Sequence, residues 1–118
     1  MEWNAATVAL SLFLFVLAGI LEIGGGYSIW IAIRENKMPV VFIPVGILAL
    51  IGYGFVPTLQ PYSSFGRIFA VYGGFFIVLS YAWAHLFDGF VLDTGDIIGG
   101  TLALAGVTIC WFWPRNND

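Results

Sequence analysis

The chain divides into four long apolar runs, at about residues 5–33, 40–59, 68–87 and 97–113, separated by short polar clusters. A helix of about 20 residues, rising roughly 1.5 Å per residue, crosses a hydrocarbon core of about 30 Å. The first run is long enough to cross at a tilt, and the fourth sits at the short end of the range. Inside a bilayer every backbone amide and carbonyl must be satisfied within its own segment, so four such runs read as four helices. Only 9% of the 118 residues are charged and 60% are hydrophobic, against about a quarter charged in a soluble domain. The lipid bilayer is therefore the expected surroundings. The connections are too short to hold a soluble domain and force neighbouring helices to run antiparallel. The expected fold is an all-α membrane protein, one four-helix up-down transmembrane unit over residues 1–118.

The polar clusters supply the details. Arg34, Glu35, Lys37 and Pro39 close the first run, a turn from Gln60 to Arg67 closes the second, and Asp88, Asp93 and Asp96 punctuate the third connection. Asp96 is placed to cap the amides that open the fourth helix. Pro44 is expected to bend the second helix. Trp111 and Trp113 are expected in the headgroup region, with Arg115 beyond them. The first residues lack the basic region of a cleaved signal, so the first run reads as a span.

Basic residues normally collect on the cytoplasmic side. Here Arg67 and Arg115 on one side face Arg34 and Lys37 on the other. With so little bias the chain is expected to insert in both orientations and to assemble as an antiparallel homodimer. Gly99, Ala103 and Gly106 share one face of the fourth run, a spacing that lets helices approach closely, within or between chains.

The chemistry concentrates on Glu22, the one charged residue within the first run. A carboxylate at membrane depth costs on the order of 3 kcal/mol, and no lysine or arginine lies within one helical turn of it. A proton or a cation would account for its retention. Ala18, Gly19, Gly25 and Gly26 lie on the same broad face and are expected to leave space beside it, while the run Gly24, Gly25, Gly26 weakens the helix locally. On the third run Tyr72, Phe76, Ser80 and Trp83 recur at three- and four-residue steps, with Tyr81 on a neighbouring face. Aromatic faces attract cations, and the hydroxyls of Tyr72 and Ser80 are of a kind that reaches a carboxylate.

Other chemistry is thinly represented. The single Cys110 offers neither an intrachain disulfide nor metal-ligand spacing. No basic run follows a phosphate backbone, so nucleic acid is not an expected partner. No nucleophile and base pair, phosphate loop or metal cluster points to an enzyme, a cofactor or a metal.

The sequence resembles the YnfA family of small inner-membrane proteins. The resemblance rests on Leu21 to Tyr27, on Gly66-Arg67 followed by Tyr72-Gly73-Gly74, and on Asp88-Gly89 and Asp96 to Gly99, in that order along nearly the whole chain. That family is similar to the small multidrug resistance transporters of the drug/metabolite transporter superfamily, antiparallel dimers that export cations against protons. The resemblance implies an inner-membrane location, a role for Glu22 as the essential first-helix glutamate, aromatic site positions at Tyr72 and Trp83, and a dimerisation pattern at Gly99 and Gly106. The segment Tyr72 to Phe76 departs from the signature of the drug exporters, so substrate identity does not follow.

Together these readings lead to the expectation of a proton-coupled exporter of a small or lipophilic cation. Glu22, Tyr72, Ser80 and Trp83 would bind proton and substrate, Gly25, Gly26 and Phe76 would shape the pocket, and Gly99, Ala103 and Gly106 would form the dimer contact. A passive small-ion channel and a non-transporting helper subunit remain open alternatives.

Overall fold

The computed structural model describes residues 4–115, so residues 1–3, where the absence of a basic signal region was read, lie outside the described part. Four helices follow one another: α1 (Ala5–Arg34), α2 (Pro39–Phe55), α3 (Phe65–Phe87) and α4 (Thr94–Phe112), with a one-turn 3-10 helix, Val56–Leu59, extending α2. Each of the four, α2 counted with its extension, is long and apolar enough to cross a membrane.

Local chemistry sets the helix ends. Asn4 opens α1 with a reciprocal cap, its Oδ1 accepting from the Thr7 amide at 3.0 Å while its own amide donates to Thr7 Oγ1 at 3.0 Å. The Gly24–Gly26 run does not interrupt α1. At its far end the Glu35 and Lys37 amides both reach back to the Ile31 carbonyl, and Asn36 and Met38 adopt left-handed φ values of 52° and 38°. Pro39 then starts α2 where a missing amide costs nothing. Helix α2 continues through Pro44 and tightens at Pro57.

The opening of α4 differs from the sequence expectation. Asp93, not Asp96, is the capping residue. Its Oδ1 accepts from the Asp96 amide at 2.9 Å, and Asp96 Oδ2 accepts from the Asp93 amide at 3.0 Å. Both acids satisfy helix-end donors, and this reciprocal arrangement starts the helix earlier than Asp96 alone would.

Helix α1 packs against both α2 and α3, and α4 leans mainly on α3. The α1–α2 crossing is made by two glycines. A methyl at Gly25 would stand 2.9 Å from the Gly46 carbonyl, and one at Gly46 would stand 2.7 Å from the Gly25 carbonyl. The backbones therefore approach as closely as small residues allow.

At one end of the bundle Phe15 lies against Phe75 with ring centroids 5.0 Å apart and meets Trp111 edge-on at 5.4 Å. Leu14, Ala18, Val56, Ile68, Val71 and Tyr72 complete this core. Trp111, at the end of α4, is only 4% exposed and packs into this core. It lies on the α4 stripe that also carries Gly100, Ala103 and Val107, and its ring meets that of Tyr62 at a tilt with centroids 4.8 Å apart. Beside this core Ser11 Oγ donates to Gln60 Oε1 at 2.8 Å and Gln60 Nε2 returns a bond to the Ser11 carbonyl at 3.2 Å. Both residues are buried, and the pair ties the α2–α3 connection to α1.

The glycine crossing generates a contrast. Gly46→Ala is expected to destabilise the protein by about 1–3 kcal/mol, because its new methyl meets backbone that cannot yield. Gly54→Ala, which meets open space on the same helix, should be neutral or stabilising by up to about 1 kcal/mol. Thermal unfolding of the two variants in detergent checks both outcomes.

Candidate functional site

Glu22 lies on α1 and faces α3, where the Tyr72 hydroxyl donates to its Oε1 at 2.8 Å. Tyr72 is fixed by its surroundings. It is only 5% exposed, and its ring lies 5.6 Å from that of Tyr53 and 6.1 Å from that of Phe76. The Tyr53 phenol from α2 also lies within interaction range of Glu22. Among the described residues no lysine or arginine pairs with this carboxylate.

Glu22 opens onto a cavity of about 410 Å³ whose lining comes from α1, α2 and α3. Phe76, Ser80 and Trp83 line it from α3, Ile23, Gly26, Tyr27 and Trp30 from α1, and Leu50 from α2. Ala84 and Asp88 extend the wall toward the end of α3. Tyr27 meets Trp83 edge-on at 5.9 Å, and Trp83 lies 4.6 Å from Phe87. The aromatic rings offer their negative faces beside the Glu22 carboxyl group.

Two polar atoms at this wall have no hydrogen-bond partner among the described residues. The Trp83 indole Nε1 is buried without a hydrogen-bond partner among the described residues. The Ser80 hydroxyl lines the cavity and likewise makes no hydrogen bond, to Glu22 or to any other described residue. A buried unpaired donor costs about 1–3 kcal/mol, a cost that a bound ligand or solvent would relieve.

The glycines do not all leave space beside Glu22 as expected. Leu79 occupies the notch at Gly19, and the Trp83 ring sits against Gly24, 3.1 Å from where a methyl would stand. Gly25 faces α2, and Ala18 is buried in the core. Gly26 alone among these opens onto the cavity, with nothing within 4 Å of a methyl there. The angular spread of α1 explains this, because consecutive residues point about 100° apart and meet different neighbours.

Other singled-out residues lie elsewhere. Gly99 and Gly106 are exposed, have nothing among the described residues within 4 Å of an added methyl, and flank the inward stripe of α4. Ala103 is half-buried beside them. Tyr81 stacks on Phe90 at 5.9 Å and interacts with Asp96 on the α4 side. At the end of α3, the His85 Nδ1 lies 3.1 Å from the Phe90 carbonyl.

The sequence reading missed Tyr27, Trp30, Leu50, Tyr53 and Asp88 as neighbours of the site. Tyr27 and Trp30 had a signal, since they lie five and eight residues beyond Glu22 on the same helix. Tyr53 and Leu50 had none, because α2 is apolar on every side.

Comparison with known proteins fixes the family. A model described as "Uncharacterised BCR, YnfA/UPF0060 family" matches residues 8–116. The chain belongs to the YnfA/UPF0060 family. It is 50% identical over 110 residues to a UPF0060 membrane protein of Arthrobacter sp. (strain FB24), a match covering 93% of this chain and 97% of the relative. A UPF0060 membrane protein of Clostridium perfringens (strain SM101 / Type A) is 51% identical over 106 residues, covering 89% and 95%. One from Mycobacterium marinum (strain ATCC BAA-535 / M) is 45% identical over 108 residues, covering 92% and 97%. No solved structure matches. This YnfA/UPF0060 chain is accordingly a multi-pass membrane protein.

Gly26 tests the cavity directly. Gly26→Leu should fold as well as the parent, since its side chain enters open space, yet fill the volume beside Glu22. Quenching of intrinsic tryptophan fluorescence by tetraphenylphosphonium is expected to weaken at least tenfold, with the unfolding temperature unchanged.

Proposed function

We propose that this YnfA/UPF0060 protein is a proton-coupled exporter of small or lipophilic cations, in the manner of the small multidrug resistance transporters it resembles. One observation carries the reading: the unpaired carboxylate of Glu22 opens onto an aromatic-walled cavity of about 410 Å³ and is held there by the Tyr72 hydroxyl at 2.8 Å. An anionic group at membrane depth is stabilised either by a proton or by a cation. Two ligands competing for one site are the minimum that exchange requires, provided each biases the same pair of conformations.

In this scheme a cation enters the cavity facing the cytoplasm and displaces the proton from Glu22, its apolar body lying along Trp83 and Phe76. The carrier then reorients, and a proton taken up from the other side releases the cation. The Tyr72 hydroxyl orients the carboxylate when it is charged. No covalent step is involved.

The working unit in this proposal is an antiparallel homodimer. Balanced basic residues favour insertion both ways, and α4, the least buried of the four helices, leaves Gly99 and Gly106 uncovered. A second α4 crossing there would approach closely.

Proton release tests the chemistry. Addition of tetraphenylphosphonium to purified wild-type protein in weakly buffered detergent should acidify the solution, and Glu22→Gln should abolish the signal while inserting normally. Equal release from the variant would sink the exchange reading.

Cross-linking tests the assembly. Leu102 is 68% exposed near the midpoint of α4, so Leu102→Cys in a Cys110→Ser background should form a disulfide-linked dimer in membranes. Native Cys110 should not, because two antiparallel copies place it about 20 Å apart along the helix axis. Cross-linking through native Cys110 would indicate a parallel pair.

A further inference from the structure

The Glu22 cavity has a second carboxylate. Asp88 ends α3 and contributes to the wall of the same cavity. Its position is set by the backbone, since the Asp88 and Phe90 amides both donate to the Ala84 carbonyl at 3.0 Å. Gly89 makes the reversal possible at a left-handed φ of 69°. Tyr27 holds this end against α1. Its hydroxyl donates to the Phe87 carbonyl at 3.1 Å and also faces the Asp88 carboxylate.

The two acids occupy separate ends of the cavity. Tyr27, the α1 neighbour of Asp88, lies five residues beyond Glu22, a rise of about 7.5 Å along the helix. Trp83 lies along the interval, its ring against Gly24 and edge-on to Tyr27, and Ile23 also lines the cavity. Charged groups at both ends of an apolar slot match a ligand with the opposite pattern.

The aromatic rim behaves consistently with this. Trp30 lines the cavity with its ring and carries the Arg34 guanidinium 4.5 Å from its centroid. A cation on an aromatic face at this rim is therefore already part of the structure.

The geometry points to Asp88 as a specificity-determining residue that gives this cavity a preference for elongated dications, two positive groups separated by a short apolar body, over monocations of the same length. The inference rests on the reading of Glu22 as the cation site. One positive group pairs with Glu22, the apolar body lies along Trp83, and the second group pairs with Asp88 near the Tyr27 hydroxyl. A monocation of equal length satisfies Glu22 alone and leaves Asp88 to solvent.

A matched pair of probes tests it on the full-length protein in detergent: hexane-1,6-bis(trimethylammonium) and hexyltrimethylammonium, with binding read by tryptophan fluorescence. The wild type is expected to bind the dication at least tenfold more tightly. Asp88→Asn should remove that preference by weakening the dication at least tenfold more than the monocation, Asp88→Glu should restore it, and Glu22→Gln should abolish binding of both probes. Equal binding of the two probes by the wild type, or an equal loss of both in Asp88→Asn, overturns the role of Asp88 while the Glu22 site stands. Glu22→Gln binding both probes like the wild type, or no binding of either by the wild type, overturns the cation site itself and the inference with it.

Discussion

The hydrogen bond from Tyr72 to Glu22 joins the chemistry of the protein to its packing. Its donor belongs to the buried core beside Phe15 and Val71, and its acceptor borders the cavity. An acid in hydrocarbon must be given a partner, and this one is supplied by a ring that cannot move without disturbing the core. The carboxylate is consequently held on one side and open on the other. Tyr53 from α2 completes the shelter, so three helices meet around a single acidic side chain.

The remainder of the bundle serves that meeting. Gly25 and Gly46 bring α1 and α2 together closely enough for Leu50 and Tyr53 to reach the site from α2. The buried Ser11–Gln60 pair anchors the connection from α2 to α3 against α1. Gly74 accepts Val107 in a similar notch and seats α4 against α3. Small residues here act by permitting approach, and the aromatic rings then fill the spaces that approach leaves.

The helices were legible in the sequence because hydrocarbon imposes a length and excludes charge, and both constraints can be read from composition alone. Glu22 was legible for the same reason, as an exception to that exclusion. Which face of each helix meets which neighbour was much less so. When lipid and protein interior are equally apolar, a helix such as α1 carries almost no contrast between its sides, and periodicity loses its information. That is why Gly19 and Gly26 could not be told apart, and why Tyr53 went unnoticed. Asp88 was visible as a turn residue. Its position beside the cavity depends on how α3 lies against α1, which only the folded chain contains.

Helix α1 has 30 residues and α4 has 19, lengths of about 45 Å and 28 Å. A hydrocarbon layer of about 30 Å fits the shorter helix, while the longer one must tilt or protrude. A bilayer surrounding this protein therefore meets a boundary of uneven height. Acyl chains beside α1 and α4 are stretched or compressed by different amounts, and any rearrangement that changes the inclination of α1 changes that deformation. Lipid chain length thereby enters the energetics of the protein as a mechanical term, set by the difference in extent between its first and last helices.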